Sequence, residues 1–110
     1  MGADNFQYDH EVSWQTADEK VERQLYGYNS DVMMVKVKFE QGGIGTMHQH
    51  PHTQVTYVES GEFRMTIGDE TKILRKGDGY FVPPNTIHGC VCLEAGMLVD
   101  CFAPMRQDFL

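Results

Sequence analysis

The sequence lacks the features that would place a protein on nucleic acid or in a membrane. Its formal net charge is −7, whereas proteins that track phosphates need a basic surface. It contains no run of about 18 apolar residues, so no helix is predicted to cross a bilayer. Its N-terminus has no basic start followed by an apolar stretch, and we therefore expect a cytoplasmic protein without a secretory signal.

Cysteine is scarce, and linkers and low-complexity tracts are absent. The three cysteines are Cys90, Cys92 and Cys101, and an odd number without a secretion signal argues against a disulfide framework. Cys90 and Cys92 would share one side of a strand, which is poor geometry for a mutual bridge. A chain of 110 residues fits one domain with one ordinary core.

Helical periodicity is weak, and short runs of β-forming residues alternate with Gly and Pro turns. In the first run, Val35, Val37 and Phe39 alternate with two lysines. This pattern predicts an all-β sandwich or barrel. The predicted strands are Val32–Phe39, Gln54–Glu59, Glu62–Ile67, Thr71–Leu74, Tyr80–Val82, Ile87–Leu93 and Met97–Phe102.

The N-terminal part of the chain is less regular. We predict an N-terminal segment over residues 1–30 and a barrel over residues 31–110, within one domain overall. Residues Val21–Tyr28 are expected to form an edge strand, although Ala17–Leu25 could instead form one or two helical turns. The tail Met105–Leu110 is expected to close one end of the barrel.

The most informative segment is the histidine-rich stretch from Gly43 to Gln54. If it is extended, His48 and His50 project to one face, because side chains alternate along a strand. Gln54 follows a Pro-containing turn, and His88 opens a later strand after a second turn. Three imidazoles and one amide would suit Zn, Ni, Mn or Fe, with positions left open for water or substrate.

The alternative is that a His-x-His pair is simply two surface histidines. His52 shares the parity of His50 but follows Pro51, which favours a rim or substrate-contacting position over a fifth ligand. Cys90 shares the parity of His88 and is expected to be a small core residue, with contact to the metal as the alternative.

These residues resemble the two sequence motifs of the cupins. The first runs from Gly42 or Gly43 through the two histidines and Gln54 to Gly61. The second comprises Gly77, Pro83, Asn85 and His88, with Asn in place of the usual Gly. Asn is the next-best residue for a left-handed backbone position. The resemblance implies an RmlC-like jelly roll, an antiparallel β-barrel, with the metal on His48, His50, Gln54 and His88.

A closer resemblance covers about residues 14–110 and is to the pectin-degradation cupins (KdgF-like). It is carried by Asp31–Val35, by the stretch from Gly43 to His50, and by the tail from Asp100 to Leu110. Gln54 in place of the usual Glu fits this subgroup, although its spacing from His50 is one residue shorter. The resemblance implies a ring-opening enzyme of the isomerase or lyase type acting on 4,5-unsaturated monouronates from pectin or alginate.

In that family an Asp, a Phe and an Arg near the C-terminus complete the site, which implies roles for Asp100, Phe102 and Arg106. The residues alone also make Asp100 unusual, because it would share an inward face with Leu98 and Phe102. Arg106 on its own would read as an exposed tail residue. The resemblance implies that Asp100 moves protons, that Phe102 forms an apolar wall and that Arg106 clamps an anionic sugar substrate.

Two other functions stay open at this point. A cupin dioxygenase using Fe(II) would consume oxygen, and a non-enzymatic module would bind a sugar acid or a metal without turnover. We also predict a homodimer, because Met97, Val99 and Cys101 would make one outer strand face apolar.

Overall fold

Antiparallel strands supply nearly all the regular structure of residues 2–110, which the computed structural model describes. These residues form no α-helix, so the predicted all-β class is confirmed. None of them forms a helix long and apolar enough to span a membrane. The strands are β1 Gln15–Asp18, β2 Val21–Tyr28, β3 Met33–Phe39, β4 Ile44–His48, β5 Thr53–Ile67, β6 Glu70–Arg75, β7 Gly79–Val82 and β8 His88–Ala103, with 3-10 turns at Asp9–Glu11 and Gln107–Phe109.

The strands form one sheet in which β5 and β8 are central. The sheet order is β1-β2-β3-β8-β5-β6, while β4 pairs with β8 and β7 pairs with β5. Each central strand therefore has three partners, and the sheet curls around an apolar interior. One core cluster surrounds Val58, Phe63 and Leu98, and a second comprises Met33, Val35 and Phe102.

The predicted strand Val21–Tyr28 forms with the predicted bounds, but its predicted position at an edge is wrong. This strand, β2, pairs with β1 on one side and with β3 on the other. The chain reverses at Glu19 and Lys20, and Lys20 has a φ of 63°. The alternative of helical turns over Ala17–Leu25 is also wrong, since a tight hairpin folds β1 back onto β2 instead.

The predicted strand breaks near Gly61 and Gly96 do not end the strands. The chain continues through both positions as the long strands β5 and β8, with register shifts around Ser60 and Glu62. Gly61 has a φ of +82°, and a Cβ atom on Gly96 would lie 2.1 Å from the Ser60 carbonyl oxygen. The glycines therefore allow two bent strands to approach closely, where the sequence had suggested breaks between separate strands.

Candidate metal centre

The start of β8 and the end of β4 bring the histidines together. His48 pairs directly with His88 across these strands. Asn85 precedes β8 with a φ of 59°, as the predicted left-handed turn requires. Its backbone N–H donates to the carbonyl of His50 at 2.7 Å. Backbone contacts thus couple the two histidine-bearing segments.

Three imidazoles form one group that can bind a metal ion. A ligand atom from each of His48, His50 and His88 lies within 4.8 Å of the other two, so this part of the predicted constellation does come together. Each Nδ1–H donates to a backbone carbonyl two residues away, which leaves each Nε2 as the lone-pair atom. These bonds join His48 to Thr46 at 2.6 Å, His50 to His52 at 3.2 Å and His88 to Thr86 at 2.9 Å.

Gln54 reaches the same group in spite of its shorter spacing from His50. Its Oε1 lies 3.0 Å from the Nε2 of His50. Its Nε2 donates to the Thr56 hydroxyl at 3.0 Å and to Asp100 Oδ1 at 3.3 Å, which fixes the amide orientation. Two lone-pair atoms therefore face each other at hydrogen-bond distance. A metal ion between them would satisfy both, so the donor set fits a divalent cation.

Burial favours the neutral form of His50 and His88, which is the protonation state that binds metal. Desolvation lowers the pKa of His88 to about 4 and outweighs the hydrogen bond to the Thr86 carbonyl. Desolvation also lowers the pKa of His50, although Gln54 raises it in part. Neither ring therefore carries a proton on Nε2 near neutral pH.

Asp100 lies inside the barrel beside this group. It is buried between Leu98 and Phe102 on β8, as the sequence predicted. Its Oδ1 accepts from the Thr56 hydroxyl at 2.6 Å and from Gln54. Its Oδ2 has no hydrogen bond to residues 2–110. Burial raises the pKa of Asp100 to about 6, although the Thr56 hydrogen bond partly opposes the shift.

Phe102 and Arg106 line the same cavity. The Phe102 ring meets the His50 ring edge-on with a centroid distance of 5.7 Å. The Arg106 Cζ lies 5.0 Å from the centre of the Phe102 ring. Arg106 is buried, so it is not the exposed tail residue that the residues alone suggested. Its Nε and Nη2 donate to both carboxylate oxygens of Asp108, at 3.0 and 2.8 Å.

Comparison with known proteins identifies the family. Residues 35–99 match the family profile described as "Cupin domain". The pectin degradation protein KdgF of Dickeya dadantii (strain 3937) is 42% identical over 104 residues, which cover 93% of this chain and 94% of that protein. The chain is a cupin of the KdgF family.

Solved structures agree with this assignment. An RmlC-like cupin from Shewanella frigidimarina NCIMB 400 superposes with a TM-score of 0.97 at 38% identity, covering 99% of this chain and 98% of that one. KdgF from Halomonas sp. superposes with a TM-score of 0.93 at 37% identity, covering 98% and 100%. Asp100 and Arg106 lie beyond the part of this cupin that the general domain profile matches.

Sequence reasoning missed several residues that surround the cavity. The cavity has a volume of about 290 Å³ and is also lined by Arg23, Tyr80 and Phe109. The alternation of Val21, Arg23 and Leu25 along β2 could have revealed Arg23, because the parity that buries Val21 also turns the arginine inward. Thr56 could have been found only from its pairing with Asp100 across β5 and β8.

Cys90 takes the core position expected of it, whereas His52, expected at the rim or in contact with substrate, is not among the residues that line the cavity. The His52 Nε2 lies 3.1 Å from the Met105 carbonyl oxygen and so ties the loop after β4 to the tail of this cupin. Its Nδ1 is buried and has no hydrogen-bond partner among residues 2–110. Cys90 lies in the apolar core cluster, and burial raises the pKa of its thiol to about 12.

Proposed function

We propose that this cupin opens the ring of 4,5-unsaturated monouronates from pectin or alginate and yields the linear, ketonised acid. The observation that carries the proposal is the convergence of an imidazole group, a buried carboxylate and a buried guanidinium in one cavity. The relationship to the pectin degradation protein KdgF of Dickeya dadantii supports the choice of substrate. A cavity of about 290 Å³ is at the small end of ligand sites, as a single sugar ring requires.

The reaction consists of proton transfers and the cleavage of one C–O bond. The substrate has a C4=C5 double bond conjugated to its carboxylate, and its ring oxygen joins C1 to C5. Loss of the C1 hydroxyl proton lets a C1 carbonyl form as the bond from C1 to the ring oxygen breaks. The resulting enolate becomes the 5-keto acid when C4 is protonated. One proton leaves and one returns, with no oxidation.

The metal would be held by the Nε2 atoms of His48, His50 and His88 and by the Oε1 of Gln54. A divalent Zn, Ni, Mn or Fe ion at this position would supply Lewis acidity toward the substrate oxygens. Gln54 is a neutral ligand, so it would offset less of the metal ion's positive charge than a glutamate would. The ion would therefore be the stronger Lewis acid.

Asp100 would move the protons. Its Oδ1 is occupied by Thr56 and Gln54, so Oδ2 is the atom that is free to take the C1 hydroxyl proton and return a proton to C4. Phe102 would form the apolar wall against the sugar ring. Arg106 would donate a hydrogen bond to the anionic substrate from Nη1, because the Nε and Nη2 of Arg106 already donate to Asp108.

The test is the loss of conjugated ultraviolet absorbance from unsaturated galacturonate. We expect metal-loaded protein to accelerate this loss, and both metal-stripped protein and Asp100→Asn to lose the acceleration, the latter by about 10²–10⁴-fold. Asp69→Asn, in the exposed turn after β5, serves as the matched control and should keep the wild-type rate.

Two results would contradict the proposal. Full turnover by metal-loaded Asp100→Asn would exclude Asp100 as the proton carrier. No acceleration by metal-loaded wild type would exclude this substrate, and an oxygen-consumption assay would then test the dioxygenase alternative.

We also propose that the protein acts as a homodimer in the cytoplasm. An exposed apolar row crosses four neighbouring strands on the outer face of the sheet. Directly paired residues form it, namely Met34, Cys101, Val55 and Phe81. Three of these four are exposed, and a second copy of the chain would bury them.

A further inference from the structure

Arg23 is a charged residue on an inward-facing apolar row. On β2 it lies between Val21, which is buried in one core cluster, and Leu25, which packs against the other. Across the sheet it pairs with Val37 on β3. Arg23 is half-buried there, and withdrawing a charge from water even in part favours a compensating partner.

The partners of Arg23 within the protein do not neutralise it. Its Nε donates to Gln15 Oε1 at 3.2 Å, and its Cζ lies 3.8 Å from the centre of the Phe109 ring. Among residues 2–110, its Nη atoms have no hydrogen-bond acceptor, and no carboxylate forms a salt bridge with it. Its positive charge is therefore left without an anion.

A second guanidinium lies close by. The Cζ of Arg106 is 4.3 Å from the centre of the same Phe109 ring, so one aromatic ring contacts both arginines. Burial lowers the pKa of Arg23, and the charge of Arg106 lowers it further, more than Asp108 raises it. Asp108 pairs with Arg106, and the other carboxylates of the cavity lining, those of Asp18 and Asp100, form no salt bridge with Arg23.

Both arginines line the cavity that contains His48, His88 and Asp100. A bound anion would supply the missing charge and accept hydrogen bonds from Nη atoms that now have none. A guanidinium fork matches the two oxygens of a carboxylate. Arg106 cannot offer its own fork without giving up Asp108, whereas the Nη pair of Arg23 is free.

We propose that Arg23 binds the carboxylate of the sugar acid in this cavity and selects acids over neutral sugars. The class of ligand rests on the proposed function, whereas the need for an anion rests on Arg23 and its surroundings. The competing explanation is that Arg23 only anchors the tail by stacking on Phe109.

The test is calorimetric binding of galacturonate and of its neutral methyl ester to metal-loaded protein. Galacturonate has no C4=C5 bond and is not turned over. We expect Arg23→Gln to weaken galacturonate binding by about 10-fold or more while the affinity for the ester changes little. Arg23→Lys keeps the positive charge but not the forked guanidinium. Its affinity for galacturonate should lie between those of wild type and Arg23→Gln. The matched control is Arg64→Gln, which changes an exposed arginine on β5 and should bind like wild type.

A variant of the tail separates the two explanations. Phe109→Leu removes the stacking partner and leaves Arg23 intact, so it should retain the wild-type preference for the acid over the ester. If Phe109→Leu loses that preference as fully as Arg23→Gln does, tail anchoring explains Arg23 and the proposal is wrong.

The outcomes also separate this proposal from the proposed reaction. One outcome is that wild type binds the acid selectively, Arg23→Gln abolishes this selectivity, and wild type does not accelerate the loss of unsaturated galacturonate. That outcome would support the proposed role of Arg23 and reject the proposed reaction. Normal turnover with an unchanged acid preference in Arg23→Gln would reject the role of Arg23 alone. Wild-type protein that binds neither galacturonate nor its ester would overturn the assignment of a sugar acid to this residue.

Discussion

At the scale of single residues, the Thr56 hydroxyl joins the two parts of the site. It accepts a hydrogen bond from Gln54 Nε2 at 3.0 Å and donates one to Asp100 at 2.6 Å. One hydroxyl therefore fixes both the amide that faces the metal position and the carboxylate proposed to move protons. Thr56 is a positioning residue, because it acts through these two side chains.

We predict that Thr56→Val lowers kcat by about 10-fold or more and leaves KM nearly unchanged. Valine has nearly the same shape but leaves Asp100 Oδ1 with one donor fewer, at a cost of about 1–3 kcal/mol in the free energy of unfolding. Steady-state kinetics and urea denaturation would measure the two effects. Thr56→Ser retains the hydroxyl and should restore most of kcat. Equal losses of kcat in both variants would contradict a role for the hydrogen bonds.

The residues of the site differ in how far the sequence could predict them. His48, His50 and His88 were predictable because strand alternation and two turns determine where they point. Thr56 was not, because a threonine in a strand is ordinary and its role depends on pairing with β8. The Asp108 carboxylate that occupies Arg106 was also hidden, since it depends on how the tail folds back.

At the scale of secondary-structure elements, the strand β8 contributes to the site twice. His88 lies at its start, and Asp100 and Phe102 lie near its end. Both ends line one cavity only because the strand bends between them. The bend lies where Gly96 approaches the Ser60 carbonyl and Gly61, so packing at this crossing determines how the two halves of the site meet.

We predict that Gly96→Ala lowers the free energy of unfolding by about 1–3 kcal/mol. The added Cβ would lie 2.1 Å from the Ser60 carbonyl oxygen, so the backbone of one strand must move. Gly27→Ala in β2 is the matched control, because its nearest contact is the flexible Gln7 side chain at 3.4 Å. Urea denaturation of both variants would measure the difference. Equal stabilities would mean that the crossing tolerates a side chain.

The ends of the strands show why the sequence prediction was incomplete at this scale. Runs of β-forming residues between turns predicted most strand cores, including those of β3, β6 and β7. Gly61 and Gly96 were interpreted as breaks between strands. In a local sequence pattern, glycine is equally typical of a turn and of a position where two backbones approach closely. Only the partner strand distinguishes the two, and that information is not local.

At the scale of the whole molecule, the outer face of the sheet carries an unusual apolar row. Val55 lies inside the row and Phe81 at its β7 end, and each has about half of its surface exposed. Exposed apolar patches often mark interaction sites, and the proposed homodimer would cover this row. Lys36 and Lys38 continue β3 beyond Met34 and contact Tyr26 and Trp14, so charged residues border the row at its β3 end only.

We predict that Phe81→Glu converts the proposed homodimer into a monomer, because a carboxylate in the row could not be buried without a partner. Ile73→Glu is the matched control, since Ile73 on β6 is similarly exposed but lies outside the row. Sedimentation velocity at micromolar concentration would measure the state of each variant. A monomeric wild-type protein would contradict the proposed homodimer. A Phe81→Glu variant that remains dimeric would show that the dimer interface does not include this row.

The backbone bonds of the imidazoles have a consequence for the evolution of the site. Each ring is oriented by a main-chain carbonyl, and a carbonyl is present whatever side chain occupies that position. Mutations at residues 46 and 86 can therefore accumulate without turning a ligand. Lineages that share this fold can change the fourth ligand and the cavity wall while inheriting the three imidazoles unaltered, so that new chemistry arises without rebuilding the centre.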